Sequence, residues 1–481
     1  MRILIKLKLA AATILMSVPA LSQEENQVPE YNLSLEEAII FGMENNYSSR
    51  NAQKDVEIAL KQKWEIISQG LPQIGGNIDY QNYIKRPVTL LPAAAFDNTQ
   101  STIDIVESYF EGLQRNDVPI NAPDGFIPVQ FGTQQSLNAT ATWNQLIFDG
   151  SYIVGIQSAR TLLQISENAK TKTDLEVKRA IINAYGNVLL AEENAEILKK
   201  NEATVQKNVD ETSILYDNGM AEQEDVEQLQ ITLLGLQNNL NRSIRMLDIA
   251  YEMLNLTLGI PVEAEVTLTE DLDELTMEYF DLALLQKQVP VQQNIDYRIA
   301  QNTAEAANIE VRLEKAKALP TLTGFVNYGL QGFSEEFSFL SSDQEYFDQS
   351  ILGVTLNIPI FSSGMRSSRT QQKEIAYEQA LIDLERTENE VKNQVNSAKA
   401  EYEFSLENYQ NQKKNLELAE RIENKNQIKF FEGLASSFEL SEAQRQLYNA
   451  QQSLLQAMLD VIVAKVELEN LLDTTKYSNE D

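Results

Sequence analysis

The chain has 481 residues and a formal net charge of −32, and it contains neither cysteine nor histidine. Without them it has no disulfides, no thiolate metal site, and neither the commonest general base nor the two commonest transition-metal ligands. The acidic charge argues against nucleic-acid binding, which requires basic patches. We therefore expect no enzyme activity, no metal and no cofactor.

The first 22 residues have the pattern of a secretory signal peptide. Basic residues at the start are followed by an apolar stretch through Val18 and by small residues at Ala20 and Ser22. This apolar stretch is short for a transmembrane anchor, and no basic flank follows it to stop transfer. The mature chain is therefore expected to begin at residue 23.

The rest of the sequence contains an internal repeat. YDNGMAEQEDVEQLQ at 216–230 aligns with FFEGLASSFELSEAQ at 430–444, so that Gly219 falls on Gly433. LPQIGGNIDY at 71–80 likewise resembles LPTLTGFVNY at 319–328. Such repetition indicates two copies of one supersecondary unit. The predicted segments are a first repeat at 23–260, an acidic linker at 261–291, a second repeat at 292–473 and a C-terminal tail at 474–481.

Four segments alternate between apolar and polar residues and are predicted to be β-strands. They form hairpins at 73–148 and 321–361, and the first hairpin contains a long loop at 85–132. Strands with one apolar and one polar face are typical of a membrane β-barrel, although a strand pair on a soluble core has the same pattern. Four strands cannot close a barrel, so strands in a membrane would require several chains. Two chains give eight strands and three give twelve, and a wide duct favours three because side chains fill an eight-stranded barrel.

A long helix is predicted after each hairpin, at 151–216 and at 365–430. A shorter returning helix follows each of them, at 222–258 and 437–473, and the two helical hairpins turn near 217–222 and 431–436. Apolar residues every seven positions indicate coiled-coil packing. In the last helix these heptad residues are Leu440, Leu447, Leu454, Val461 and Leu468. The predicted fold class is mainly α, with long coiled-coil helices and a β-barrel portion.

The order and spacing of these features resemble the TolC-like outer-membrane efflux channels. The resemblance rests on the twofold repeat, the LP-x-(I/L)-x-G starts of two strands, IFDG and IFSSG before the long helices, and the two glycine motifs. It implies a homotrimer with a shared 12-stranded barrel in the outer membrane of a Gram-negative bacterium and an α-helical tunnel in the periplasm. It also implies a passive exit duct of a tripartite efflux or type I secretion system, which receives substrate from an inner-membrane pump through a periplasmic adaptor protein. A periplasmic coiled-coil scaffold without a pore is the alternative.

The resemblance also assigns roles to residues at the periplasmic end. The turns expected to dock the adaptor are Gly219, Met220 and Ala221 in the first repeat and Gly433, Leu434 and Ala435 in the second. The acidic residues expected to line the gate are Asp225, Glu439 and Glu442, and the aromatic residues expected beside it are Tyr216 and Phe430. A capping box formed by Ser436 and Glu439 would explain the second of these acids without a channel. The family often has a tyrosine and a basic residue where this chain has Phe430 and Ala435.

Overall fold

The computed structural model of the chain describes residues 30–93, 99–109, 125–287 and 290–472. The expected signal peptide at 1–22 and tail at 474–481 lie outside these residues. The chain divides into two compact units. One comprises Met1–Ala59, Gln164–Ala304 and Ala380–Asp481, and the other comprises Leu60–Leu163 and Glu305–Gln379.

Most of the described residues are helical. The α-helices are α1 (Leu35–Asn45), α2 (Tyr47–Ser68), α3 (Thr99–Tyr109), α4 (Gly150–Asp217), α5 (Gln223–Leu258), α6 (Leu272–Glu278), α7 (Ile295–Ala316), α8 (Met365–Phe431) and α9 (Ser437–Leu472). The predicted long helices correspond to α4, with 68 residues, and α8, with 67, and the returning helices α5 and α9 have 36 residues each. None of the helices in the described ranges combines the length and apolar character needed to cross a membrane.

Within the described ranges, the strands form three sheets. They are β1 (Glu30–Leu33), β2 (Gln73–Asn82), β3 (Val88–Pro92), β4 (Phe126–Gln130), β5 (Gln135–Asp149), β6 (Glu265–Leu268), β7 (Thr321–Ser334) and β8 (Tyr346–Asn357). The four predicted strands correspond to β2, β5, β7 and β8, which form one antiparallel sheet in the order β2-β5-β7-β8. The pairing of β5 with β7 joins the two predicted hairpins in one sheet.

One face of the four-stranded sheet carries large apolar side chains. Register places Ile74 beside Trp143, Trp143 beside Val326 and Val326 beside Leu352, so that one row crosses all four strands. Ile74 and Leu352 are 79% and 78% exposed. The opposite face includes Thr142 and Asn327, whose side chains share a 2.9 Å hydrogen bond. The apolar face is therefore uncovered in the single chain, which is unusual for a sheet in water.

The segment predicted as a loop at 85–132 has secondary structure of its own. Strand β3 pairs antiparallel with β4, with Val88 opposite Gln130 and Pro92 opposite Phe126, and α3 lies between them in sequence. The sequence predicts a loop here with a short helix around Ile103–Leu113, which α3 overlaps through Tyr109, but it predicts neither strand. The prolines of this segment are compatible with strands because each of these two strands has one neighbour, leaving a side on which no N–H has to be donated.

The acidic linker predicted at 261–291 is also folded. Strand β6 pairs in parallel with β1, and α6 begins after Asp271, whose side chain accepts a hydrogen bond from the N–H of Glu274. Val266 and Leu272 are buried in the main hydrophobic core of the first unit. The sequence prediction missed these elements because strands of four residues with acidic neighbours give little periodic signal.

Two buried tyrosines fix this linker to the long helices. Tyr185 on α4 is completely buried, and its hydroxyl donates to the carboxylate of Glu270 in the linker at 3.3 Å. Tyr402 on α8 is also completely buried; its hydroxyl donates to the carbonyl of Tyr279 and accepts from the N–H of Asp281, each at 2.8 Å. Because unpaired polar groups are costly in a core, these contacts specify where the linker lies.

Residues of the heptad pattern in the last helix, α9, belong to the hydrophobic core. Leu440, Val461 and Leu468 have no exposed surface, and the small residues Ala443 and Ala457 are almost completely buried. Full burial of a large apolar side chain contributes about 1.5–3 kcal/mol. The repeated apolar positions are therefore the main source of stability in α9.

Candidate functional site

The two glycine motifs form the same turn. Gly219 and Gly433 have φ angles of +76° and +71°, in the left-handed region that favours glycine. The N–H of Met220 donates to the carbonyl of Leu215 at 2.8 Å, and that of Leu434 donates to the carbonyl of Lys429 at 2.7 Å. These bonds from the sixth residue back to the first define the Schellman motif, which ends α4 and α8. The repeated sequence thus encodes a repeated helix ending.

The residues after the glycines leave an apolar surface at both turns. Met220 is 69% exposed and Leu434 is 72% exposed, whereas Ala221 and Ala435 are half-buried. Phe438, at the start of α9, is exposed as well. Exposed apolar side chains beside short turns suit contact with another protein.

The acidic residues Asp225 and Glu439 both cap helices, but Asp225 also accepts a hydrogen bond from a second helix. Glu439 accepts a hydrogen bond from the N–H of Ser436 at 2.9 Å, and its own N–H donates to the Ser436 hydroxyl at 3.2 Å, which is the predicted capping box. These bonds with Ser436 lower the pKa of Glu439. Asp225 accepts from the N–H of Glu222 at 3.3 Å and from the N–H of Ser437 at 3.4 Å. Asp225 therefore connects the start of α5 to the start of α9.

The capping box leads to a local prediction. Replacing Ser436 with alanine is expected to destabilise the first turn of α9 by about 1 kcal/mol, because the N–H of Glu439 loses its partner. Hydrogen exchange at the first amides of α9 should become about fivefold faster, which is the exchange equivalent of that free energy. Ser453→Ala, at an exposed position within the same helix, should leave these amides unchanged. Unchanged exchange in Ser436→Ala would contradict the capping role.

Glu442 has a different environment from the other two acids. The guanidinium of Arg445, one turn further along α9, lies 2.6 Å from its carboxylate. Hydrogen bonds from Arg445, and then from Gln446, lower the pKa of Glu442. Arg445 is not among the predicted site residues, although its spacing of three residues from Glu442 is that of a helical ion pair. The charge of Glu442 is therefore partly balanced within its own helix.

The aromatic residues Tyr216 and Phe430 occupy matching positions but have different surroundings. Tyr216 is 43% exposed. Phe430 packs against a small core that joins α4, α5 and α9. The buried residues of that core are Val205, Val209, Leu229, Leu233 and Leu440. In the single chain, Tyr216 is thus available for contact and Phe430 stabilises the helix ends.

A cavity of about 440 Å³ lies among α4, α5, α8 and α9 near the turns. Its lining includes Phe438, Tyr448, Glu423 and Arg445. Burial raises the pKa of Glu423, and the nearby Gln444 side chain opposes this shift. Spacing does not single out this carboxyl, because one acid within a highly charged helix looks like a solvated residue.

The raised pKa of Glu423 predicts a pH effect on stability. The folded state binds this proton more tightly than the unfolded state, so the contribution of Glu423 to stability decreases as the pH rises from about 4.5 through the folded pKa. Glu423→Gln should remove this loss of stability. The urea midpoint of the variant should therefore exceed that of the wild type by more at pH 8 than at pH 4. Glu420→Gln, at an exposed position of the same helix, should show no such difference. An equal shift at both pH values would contradict the burial effect.

The eleven predicted site residues all lie in the first unit, at the ends of the helical hairpins. Asp225 and Ser437 bring the two turns together. Within the described part of the chain, no group of three or more acidic side chains is placed to hold a metal ion. The arrangement offers apolar contact surfaces and carboxylates.

The fold is that of the outer-membrane efflux channels. The structure is similar to the outer membrane channel CmeC of Campylobacter jejuni, with a TM-score of 0.69 and 15% identity over 93% of this chain and 87% of that chain. Residues 290–474 match the family described as outer membrane efflux protein. The mainly α fold class is confirmed by this similarity.

Two named relatives agree with this assignment. The outer membrane protein TolC of Vibrio cholerae is 25% identical over 341 residues, covering 70% of this chain and 77% of TolC. The alkaline protease secretion protein AprF of Pseudomonas aeruginosa is 21% identical over 371 residues, covering 76% of this chain and 75% of AprF. The predicted relationship is confirmed: this chain is a relative of the TolC-like outer-membrane efflux proteins, located in the outer membrane and extending into the periplasm.

Proposed function

We propose that three copies of this chain form the outer-membrane channel of a tripartite efflux or type I secretion system. The channel is a passive exit duct that receives substrate from an inner-membrane pump through a periplasmic adaptor protein. The family description points to efflux, and AprF is named for protease secretion, so both cargo classes are compatible with the relatives.

The four-stranded sheet carries this proposal. Its apolar face is exposed, as a lipid-facing surface must be. Its outer strands, β2 and β8, each have one neighbour in the sheet, and open strand edges are not tolerated in lipid. Joining β8 of one copy to β2 of the next closes the edges, and three copies give a barrel of twelve strands.

The predicted repeat and site roles belong to the same proposal. A twofold repeat, at 23–260 and 292–473, is supported by the paired helix lengths and by the identical turns at Gly219 and Gly433. The exposed Met220 and Leu434 suit the docking of an adaptor. Three copies would arrange Asp225, Glu439 and Glu442 as carboxylate rings, and such rings favour cations in a narrow entrance. Tyr216 and Phe430 would lie beside that gate.

The oligomeric state and the need for detergent test the proposal. The mature protein should require detergent for extraction and should give the mass of a homotrimer in native mass spectrometry. If high salt without detergent extracted the protein as a monomer, that result would instead favour the periplasmic scaffold. A folded trimer that remains soluble after detergent removal would also contradict the lipid-facing role of the sheet.

A further inference from the structure

The tips of the two helical hairpins carry different charges. Residues 207–232, around the first turn, contain seven acidic residues and one basic residue. The corresponding residues 421–446, around the second turn, contain four of each. Because the two tips have the same backbone turn, this difference is not required by the fold of either one.

Some of these charged residues lie, together with apolar residues, on one exposed face of α5 and one exposed face of α8, which we call the acidic seam and the basic seam. On α5 the acidic seam consists of Glu224, Glu227, Ile231 and Leu234, and all four are exposed. On α8 the basic seam consists of Leu418, Ile422, Lys425 and Lys429, which are also exposed. Each seam has the alternating spacing of three and four residues that places side chains on one coiled-coil face. Neither apolar pair is covered within the single chain: Ile231 is 64% exposed and Leu418 is 50% exposed.

The two seams match in order along their helices. Helix α8 runs toward its turn and α5 runs away from its turn, so the two are antiparallel. Glu227 lies eight residues after Gly219, and Lys425 lies eight residues before Gly433. In both seams the charged pair is nearer the turn and the apolar pair is further away. A shift of one helical turn would still bring Glu227 to Lys429 and Leu234 to Ile422.

Contacts inside the chain show which helices the repeat brings together. The side chain of Asn201 on α4 donates to Gln451 on α9 at 2.9 Å, and that of Gln452 donates to Asn194 at 2.6 Å. The first long helix therefore contacts the second returning helix. Applied in the other direction, the repeat would bring the second long helix, α8, against the first returning helix, α5. Asn415, which is the repeat equivalent of Asn201, is exposed on α8.

We propose that the basic seam on α8 binds the acidic seam on α5 of a second copy, and that ion pairs between them hold neighbouring copies together at the turns. The inference rests on the proposed trimer, and it specifies which helix faces of neighbouring copies are in contact. Opposite charges select this pairing, and the apolar pairs become buried when it forms. A contact between different faces repeats from copy to copy and closes into a ring. A shallow surface at the end of α8, whose lining includes Arg421 and Ile428, shares Lys425 and Lys429 with this seam.

Cysteine cross-linking tests the pairing, because the natural chain has no cysteine. The double variants Glu227→Cys with Lys425→Cys and Glu227→Cys with Lys429→Cys are oxidised in detergent after the trimer mass has been measured. At least one should give disulfide-linked dimers and trimers on a non-reducing gel. The control Lys207→Cys with Lys425→Cys places the first cysteine on the exposed face of α4 and should remain monomeric on that gel.

Charge reversal provides the second measurement. Glu224→Lys with Glu227→Lys should reduce the trimer fraction in dilute detergent solution about tenfold or more, because each copy loses two ion pairs and gains repulsion. Adding Lys425→Glu with Lys429→Glu should restore it. A wild-type trimer without cross-links in either double variant, or without rescue, would overturn the seam pairing and leave the channel intact. A wild-type protein without a trimer would overturn the proposed function itself.

Discussion

Replacing Gly259 with alanine is expected to destabilise the first unit by about 2–5 kcal/mol. Gly259 ends α5 with a φ angle of +80°, where an alanine costs about 1–2 kcal/mol. A Cβ atom there would lie 2.3 Å from the carbonyl oxygen of Asn45 and 2.6 Å from its carbonyl carbon. Backbone atoms cannot rotate away as a flexible side chain can, so overpacking adds about 1–3 kcal/mol. The free energy of unfolding from urea titration measures the effect.

Gly219→Ala is the matched control for this prediction. Gly219 has nearly the same backbone conformation, with a φ angle of +76°, but no atom beyond its adjacent residues lies within 4 Å of the position that a Cβ would take. Its replacement should therefore cost only the backbone preference, about 1–2 kcal/mol. Equal losses in the two variants would show that Asn45 moves aside and that the close packing of α5 against the end of α1 contributes nothing.

Leu352→Arg is expected to impair insertion of the sheet into the membrane. Leu352 lies within β8 on the apolar face and is 78% exposed. An arginine on the lipid face of a barrel costs up to about 2–4 kcal/mol near the bilayer midplane. The amount of trimer recovered from the outer membrane should fall, and folding into lipid vesicles should require less urea to reverse.

The neighbouring residue gives a control with the same chemistry. Ile351 precedes Leu352 on β8 and points to the opposite face, where its strand partner is Asn327. In a barrel of twelve strands that face lines a wet interior, so Ile351→Arg should insert almost as wild type does. If Ile351→Arg were the more damaging variant, the two faces of the sheet would have to be exchanged.

The sequence predicted those elements whose signals are local and repeated. Alternation over many residues identified β2, β5, β7 and β8, and heptad spacing identified α9. The glycines at 219 and 433 marked the turns because an L-residue rarely adopts the left-handed conformation found there. The capping box of Ser436 and Glu439 was likewise visible, since it needs only two residues three positions apart.

Other features depend on contacts between distant segments and could not be predicted from spacing. Strands β1 and β6 have four residues each and become visible only when paired. The bond from Ser437 to Asp225 requires the two hairpins to be placed side by side. The same holds for Glu423, whose burial depends on four helices. Phe430 was predicted beside a gate, but its packing in a small core depends on helices that are far apart in sequence.

Single-channel conductance in planar bilayers tests the central claim most directly. The purified trimer should give defined, cation-selective steps. Glu439→Gln with Glu442→Gln should reduce that selectivity, because carboxylate rings at the entrance lose their charge. Glu401→Gln with Glu403→Gln, at exposed positions of α8 about thirty residues before the second turn, is the control and should retain it. Channels with unchanged selectivity in the first variant would assign Glu439 and Glu442 to helix stability alone. A folded trimer that forms no channels would contradict the proposed duct.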